Sequence, residues 1–357
     1  MTRPVRLKDV AKAAGVSQGT ASNVFNRPGL VRPAVRERVL ETARRLDYSG
    51  PDPRGRLLRA GTANAIGVVT HTAVATAMTH PKFQSFIQGI AEVCDARQAA
   101  LVIVPGVDRQ AADRSLGTAL VDGFILHNPR HVDSLIAISK RRNLPLVGVD
   151  MEAPAGISAI NLDNRHGARQ AVRHLVELGH RKVAILALRD PDADDTGPQY
   201  HPAGEAGRRL TTSFIDARER YEGIAEALGE AGLSIDDAPI VEGRPEGPDI
   251  RAAARLMLDN LAGATAIIAM ADTLAVGVLD EALRRGIAVP ADLSVVGFDD
   301  LPIAATSLPK LTTIAQSTRA KGKAAAELIL DPPAHAVRRI MPVDLIVRES
   351  TASPPSR

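Results

Sequence analysis

The sequence predicts an α/β protein: a small all-α headpiece followed by two doubly wound parallel α/β lobes. Three observations carry this expectation. Residues 1–60 hold 13 Lys and Arg against 5 Asp and Glu, whereas the whole 357-residue chain holds 44 against 41. A basic head therefore precedes a mildly acidic body, the electrostatic footprint of a module that neutralises phosphates. Apolar residues in the head recur at helical spacing. From residue 65 onward, strand-like apolar runs alternate with helical stretches, as in a parallel sheet wound by helices. The length suits one small unit and one large one.

In the head, Leu7, Val10, Ala11 and Ala14 share one helix face. Gly15 can end that helix in a left-handed conformation, and Val16 can plug the turn. Ser17 can cap a second helix, running from about Gln18 to Asn26, through its hydroxyl. Ala21, Val24 and Phe25 face inward. Gly19, Ser22, Asn23 and Asn26 face outward, with Gln18 at the exposed N-terminal end. Pro33 suits the first turn of a third helix, whose inner stripe is Val35, Val39, Ala43 and Leu46. Two short helices joined by a Gly-containing turn and braced by a third form a helix-turn-helix, although a generic three-helix bundle would show the same stripes. The second helix presents small polar side chains, which allow close approach. Gln and Asn can pair with adenine, and Ser, Thr and Asn more often bind phosphate oxygens.

The segment LKDVAKAAGVSQGTASNVFNRPGLVRPAVRERVLETARRLDY resembles the LacI/GalR family headpiece along its whole length. The matching positions include Asp9-Val10-Ala11, Ala14-Gly15-Val16-Ser17, Thr20, Ser22, Val24, Asn26, Val31, Arg36, Val39, Leu46 and Tyr48. The resemblance implies that Gln18, Gly19 and Asn23 enter the major groove, and that Ser17, Thr20, Ser22 and Asn26 hold phosphates. Gly19 offers close backbone approach but no side-chain readout. Ala21 stands where valine is usual in the family, and Arg6 where threonine is frequent.

The resemblance also assigns the connector. Residues 49–62, SGPDPRGRLLRAGT, are rich in Gly, Pro and Arg, as a boundary should be. In the family a hinge helix here orders on DNA and pushes a leucine between base pairs of the minor groove. Counting back from Ile66-Gly67 gives Leu58, flanked by Arg56 and Arg59. The other reading is that Leu58 covers core surface and the arginines are solvated. Pro53 and Gly55 weaken such a helix unless it begins near Asp52, which leaves a short helix that DNA must help to fold.

In the body, strands are expected at Ile66–Val69, Leu101–Val104, Gly123–Leu126, Leu146–Val149, Val183–Leu188, Ala266–Ala269 and Val295–Phe298. Helices are expected at Phe83–Ala96, Arg165–Leu178, Tyr221–Ala231, Ile250–Leu261 and Leu274–Arg285. These strands are too many for one comfortable sheet, and a break falls near Asn161–Asn164. Two lobes fit better, and such lobes bind ligands at the C-terminal ends of their strands. Motifs at those ends, including Asp122-Gly123-Phe124, Asp163-Asn164, Leu178-Gly179-His180 and Ser294-Val295-Val296-Gly297-Phe298-Asp299-Asp300, also resemble the family core, which is similar to a periplasmic sugar-binding protein. By that topology the first lobe takes about 65–162 and 318–343. The second takes about 163–313 and a final strand near 345–349, with three crossings. The expected layout is headpiece 1–48, hinge 49–62, effector-binding and dimerisation core 63–350, and tail 351–357.

Register with the family motifs implies effector-binding roles for Asp150, Arg220, Asp299 and Gln316, with Phe83 on the first-lobe wall. Carboxylates and a guanidinium converging on a cleft can bind hydroxyl pairs of a carbohydrate-like ligand. Two departures from the family are Ala271, where some members carry an asparagine, and the lack of an aromatic around Glu242–Asp249. The segment from Asp190 to Thr212 is longer than the family loop, and reads as a surface loop or as a lid beside the cleft.

Other chemistry is not indicated. There is no Gly-rich phosphate loop, nucleophile elbow, or metal-ligand spacing, so neither cofactor nor metal is expected. His127, His166 and His180 read as structural or capping. A single cysteine, Cys94, excludes an internal disulfide. No apolar run spans a membrane and no secretory signal leads the chain, which points to the cytoplasm. A ligand-gated regulator, binding a near-palindromic operator as a homodimer or higher, accounts for both ends of the chain. A free sugar-binding protein of the same core fold, or a doubly wound enzyme, accounts only for the body.

Overall fold

The computed structural model describes residues 5–50, 62–129, 132–190, 197–205, 210 and 212–356. They fall into two compact units, Met1–Ala63 and Asn64–Arg357. The expected hinge residues Arg56 and Leu58 lie outside the described residues.

The first unit contains helices Leu7–Ala13, Gln18–Asn26 and Pro33–Arg45. Gly15 takes φ +65°, where a side chain would be strained, and lets the chain reverse between the first two helices. The Asp9 carboxylate accepts a hydrogen bond from the Arg6 amide at 2.9 Å, fixing the first helix start. Val10, Ala11, Ala21, Val24, Val39 and Ala43 form the buried centre. Phe25 and Tyr48 close its edge in a T-shaped contact, with ring centroids 5.8 Å apart.

The second unit holds two sheets. The first is built from β1 (Ala65–Thr70), β2 (Ala100–Pro105), β3 (Gly123–His127), β4 (Leu146–Val149), β5 (Ser158–Leu162) and β12 (Arg338–Met341). Their order is β12-β5-β4-β3-β1-β2, all parallel. The second contains β6 (Val183–Leu188), β7 (Gln199–His201), β8 (Ile240–Gly243), β9 (Ala266–Ala269), β10 (Ser294–Asp299), β11 (Thr312–Gln316) and β13 (Val343–Ile346). Their order is β13-β11-β10-β9-β6-β8-β7, with only the two edge strands antiparallel. Each sheet runs outward in both directions from its first strand, so β1/β3 and β6/β9 are equivalent switch points. Ligand crevices form outside the strand C-termini at such points. The chain crosses between lobes after β5, after β11 and between β12 and β13.

The central strands are largely apolar runs because helices cover both faces of each sheet. Ile66, Val68, Phe86, Ile90, Ile125 and Ile329 fill the first lobe. Tyr221, Ile224 and Phe298 lie in one cluster of the second lobe, and Met257, Leu274 and Val295 in the other. Helices Pro81–Arg97 and Thr318–Leu330 approach closely through two glycines. A Cβ at Gly89 would collide with the carbonyl of Arg319, and one at Gly322 with that of Phe86.

One expectation needs adjustment. The helix carrying Arg220 starts at Ile215, so Arg220 lies in its second turn and not at its start. Residues just beyond β13 are anchored: Ser350 bonds Val295 and Thr312, and the Ala352 carbonyl accepts from His180 and Ser294. The segment after Asp190 contributes β7, whose Tyr200 packs against the second-lobe core.

Candidate functional site

On the headpiece, Ser17 caps the second helix, its hydroxyl accepting from the Thr20 amide at 3.0 Å. Ala21 and Val24 are buried, which fixes the helix and turns its other face outward. Ser17, Gln18, Gly19 and Asn26 are exposed, and Thr20, Ser22 and Asn23 half-exposed. The Asn26 amide donates to the Ser22 carbonyl at 3.0 Å and to its hydroxyl at 3.1 Å. Ser17 and Thr20 share a hydroxyl–hydroxyl contact at 2.9 Å. The four residues expected on phosphates are thus ordered in two pairs, Ser17 with Thr20 and Ser22 with Asn26, while Gln18 is exposed and Asn23 half-exposed on the same helix.

In the core, the C-terminal strand ends of the two lobes face one cavity of about 390 Å³. Phe83, Asp150, Arg220 and Asp299 all line it. Gln316 stands behind the wall: its amide donates to Asp299 Oδ1.

Asp150 ends β4 at φ +53°, and its two oxygens accept from Lys321 Nζ at 2.9 and 2.6 Å. Lys321 is fully buried and comes from the helix that follows the second crossing. Burial raises the Asp150 pKa and lowers that of Lys321, each opposed by the other's charge.

Asp299 ends β10 at φ +122°, a region costly for any side chain, of order 1–3 kcal/mol, and one that clusters at ligand sites. Arg220 is locked by three contacts. Its Nε donates to Asn164 Oδ1 at 2.9 Å and its Nη1 to the Met270 carbonyl at 2.5 Å, and its guanidinium lies 3.6 Å over the Phe298 ring. Its Nη2 has no hydrogen-bond partner and lies 3.7 Å from Asp299 and 3.8 Å from Asp216.

Sequence reasoning missed four groups here. Lys82 donates to Asp216 at 3.2 Å and lies 4.0 Å from Asp299. Burial pushes the Asp216 carboxyl up, but Lys82 and Arg220 outweigh it and hold it well below the usual carboxylate range. His127, read as structural, ends β3 on the cavity wall beside Phe86, with ring centroids 4.6 Å apart, and neither ring nitrogen has a hydrogen-bond partner. Burial first, then His71 and the nearby lysines, push its pKa well below the ordinary histidine value, so it is neutral. Asp272 lies fully buried behind this wall, accepting from the Thr313 hydroxyl at 2.5 Å and the Leu301 amide at 2.8 Å. A strand-end position was the available signal for His127, whereas Lys82, Asp216 and Asp272 lie in first turns of helices. His180, by contrast, is structural, bonded to Thr265, Ser294 and Ala352. Among the described residues, no cluster of metal-ligating side chains and no helix long and apolar enough to cross a membrane occurs.

A basic three-helix head with an exposed polar second helix, carried on the same chain as a two-lobed core with an interlobe cavity, defines a DNA-binding regulator with a ligand-binding core. Comparison with known proteins agrees. Residues 6–50 match the bacterial regulatory proteins of the lacI family, and residues 172–351 match the periplasmic binding protein-like domain. The chain is 34% identical over 363 residues to the HTH-type transcriptional regulator Rv3575c of Mycobacterium tuberculosis, across 99% of this chain and 98% of that protein. Its fold matches the crystal structure of the lac repressor dimer bound to operator and the anti-inducer ONPF, with TM-score 0.77 and 27% identity over 98% of this chain and 100% of that one. It also matches a complex of the transcriptional regulator CelR with cellobiose, with TM-score 0.69 and 27% identity over 98% and 100%. The chain belongs to the LacI family of bacterial transcriptional regulators.

Proposed function

We propose that this chain is a homodimeric repressor that binds a near-palindromic operator through Gln18, Gly19 and Asn23, and releases or tightens on DNA when a small polyhydroxyl effector enters the interlobe cavity. Phe83, Asp150, Arg220 and Asp299 bind that effector, with Gln316 holding Asp299 in place. Ser17, Thr20, Ser22 and Asn26 hold phosphates, and Arg56 and Leu58 enter the minor groove. The observation that carries the reading is the pair of buried polar groups that face the cavity without a hydrogen-bond partner, Arg220 Nη2 from one lobe and the His127 imidazole from the other, although carboxylates lie 3.7–3.9 Å from each. Such groups are costly without a partner, and ligand hydroxyls can donate to and accept from them. The relatives support the same division of labour: one solved relative holds operator DNA, and another holds cellobiose.

A thermal-shift screen of neutral sugars, polyols and nucleosides against the full chain tests the effector site, because a binder raises the melting point by mass action. A hit whose shift persists undiminished in Arg220→Ala would remove Arg220 from the site.

A further inference from the structure

Lys82 is the second residue of helix Pro81–Arg97, a position where the helix dipole disfavours a cation. It is nonetheless mostly buried, and its ammonium points across the cleft to the second lobe, 3.2 Å from Asp216 and 4.0 Å from Asp299. Burial opposes its charge, but Asp216, Asp299 and Asp150 outweigh that and hold its pKa above the ordinary lysine value. The two carboxylates it meets are also the two nearest Arg220 Nη2. Half-buried Lys82 and the fully buried Arg220 and Lys321 thus meet three buried carboxylates, Asp150, Asp216 and Asp299, with Arg189 also buried on the cavity wall. Without Lys82, Asp216 and Asp299 would share the single guanidinium of Arg220 as their ion-pair partner among the described residues.

We propose that Lys82 fills a cation site of the cleft from within the chain, bridging the first lobe to Asp216 and Asp299 and so selecting neutral effectors over cationic ones. This rests on the cleft being the effector site, but its test needs neither effector nor DNA. A ligand carrying an ammonium would have to displace a tethered one, whose effective concentration is high. A neutral polyol can use the remaining lone pairs of Asp299, the Arg220 Nη2 donor and His127 without breaking the bridge.

The experiment is chemical rescue. Lys82→Ala in the full chain removes the ammonium and leaves room for n-butylammonium. Its melting midpoint should fall, and millimolar n-butylammonium should raise it by at least about 2 °C over n-butanol at matched ionic strength, with no such rise for the wild type. Lys82→Met, which fills the same space without charge, should melt low and gain nothing from the amine. Small-angle scattering of Lys82→Ala without amine should give a larger radius of gyration than the wild type. A Lys82→Ala protein that melts and scatters like the wild type, or that responds equally to butanol and butylammonium, overturns the proposal. If Lys82→Ala does not fold, Lys82→Arg decides: a midpoint close to wild type and above that of Lys82→Met supports the bridge, and equal losses in the two overturn it.

Discussion

Asp272 is buried, and burial first, then the charge of Asp299, raise its pKa from 3.8 to about 7, against the opposing hydrogen bonds from Thr313 and Leu301. The folded state therefore binds a proton that the unfolded chain has released above its own lower pKa. The resulting stabilisation is fully present below about pH 4 and is lost as pH rises to about 7, at up to roughly 1.4 kcal/mol per pH unit. Asp272→Asn should lose this slope, so its melting midpoint relative to wild type should rise between pH 5 and pH 8. A constant difference across that range would mean that Asp272 is ionised in the fold. On the headpiece, Asn23→Ala should change base preference at about one operator position, at a cost of roughly 1–3 kcal/mol. Equal weakening on every operator variant would make Asn23 a phosphate contact. Much of this scale was legible from strand ends: Asp150 and Asp299 close the runs LVGVD and SVVGFD, and both line the cavity. Their partners were not legible. Lys321 meets Asp150 across 171 residues of sequence, and Lys82 meets Asp216 across 134, pairings that only the three crossings create.

At the scale of elements, the cavity wall depends on how closely helices Pro81–Arg97 and Thr318–Leu330 pack, since one carries Lys82 and Phe83 and the other Lys321. Gly89→Ala places a methyl against the Arg319 carbonyl, and backbone cannot yield as a flexible side chain can. Overpacking of this kind costs about 1–3 kcal/mol, readable as a lowered denaturation midpoint with an unchanged m-value. A wild-type midpoint would mean the helices can part at no cost. The central strands were legible because helices bury both faces and leave long apolar runs. β12, with the sequence Arg-Arg-Ile-Met, was not, because it is an exposed edge strand whose partner β5 lies far away in the chain. β8, Ile-Val-Glu-Gly, and β11, Thr-Thr-Ile-Ala-Gln, were missed as strands because polar residues interrupt their apolar runs.

At the scale of the molecule, the headpiece and the core are coupled if occupancy of the cleft changes affinity for DNA, and that coupling must be reciprocal, typically worth about 1–3 kcal/mol. Two substitutions separate its parts. Leu58→Ala should lower operator affinity while leaving ligand-induced melting shifts unchanged. Arg220→Ala should leave effector-free operator affinity near wild type and remove the response to ligand. The most direct test takes operators selected from random DNA by the full chain, and titrates them with and without the sugar or polyol that gives the largest thermal shift. The expected result is an enriched near-palindromic site whose affinity changes about 5- to 150-fold with ligand, in a manner that Arg220→Ala abolishes. A ligand that raises the melting point yet leaves operator affinity unchanged would contradict it.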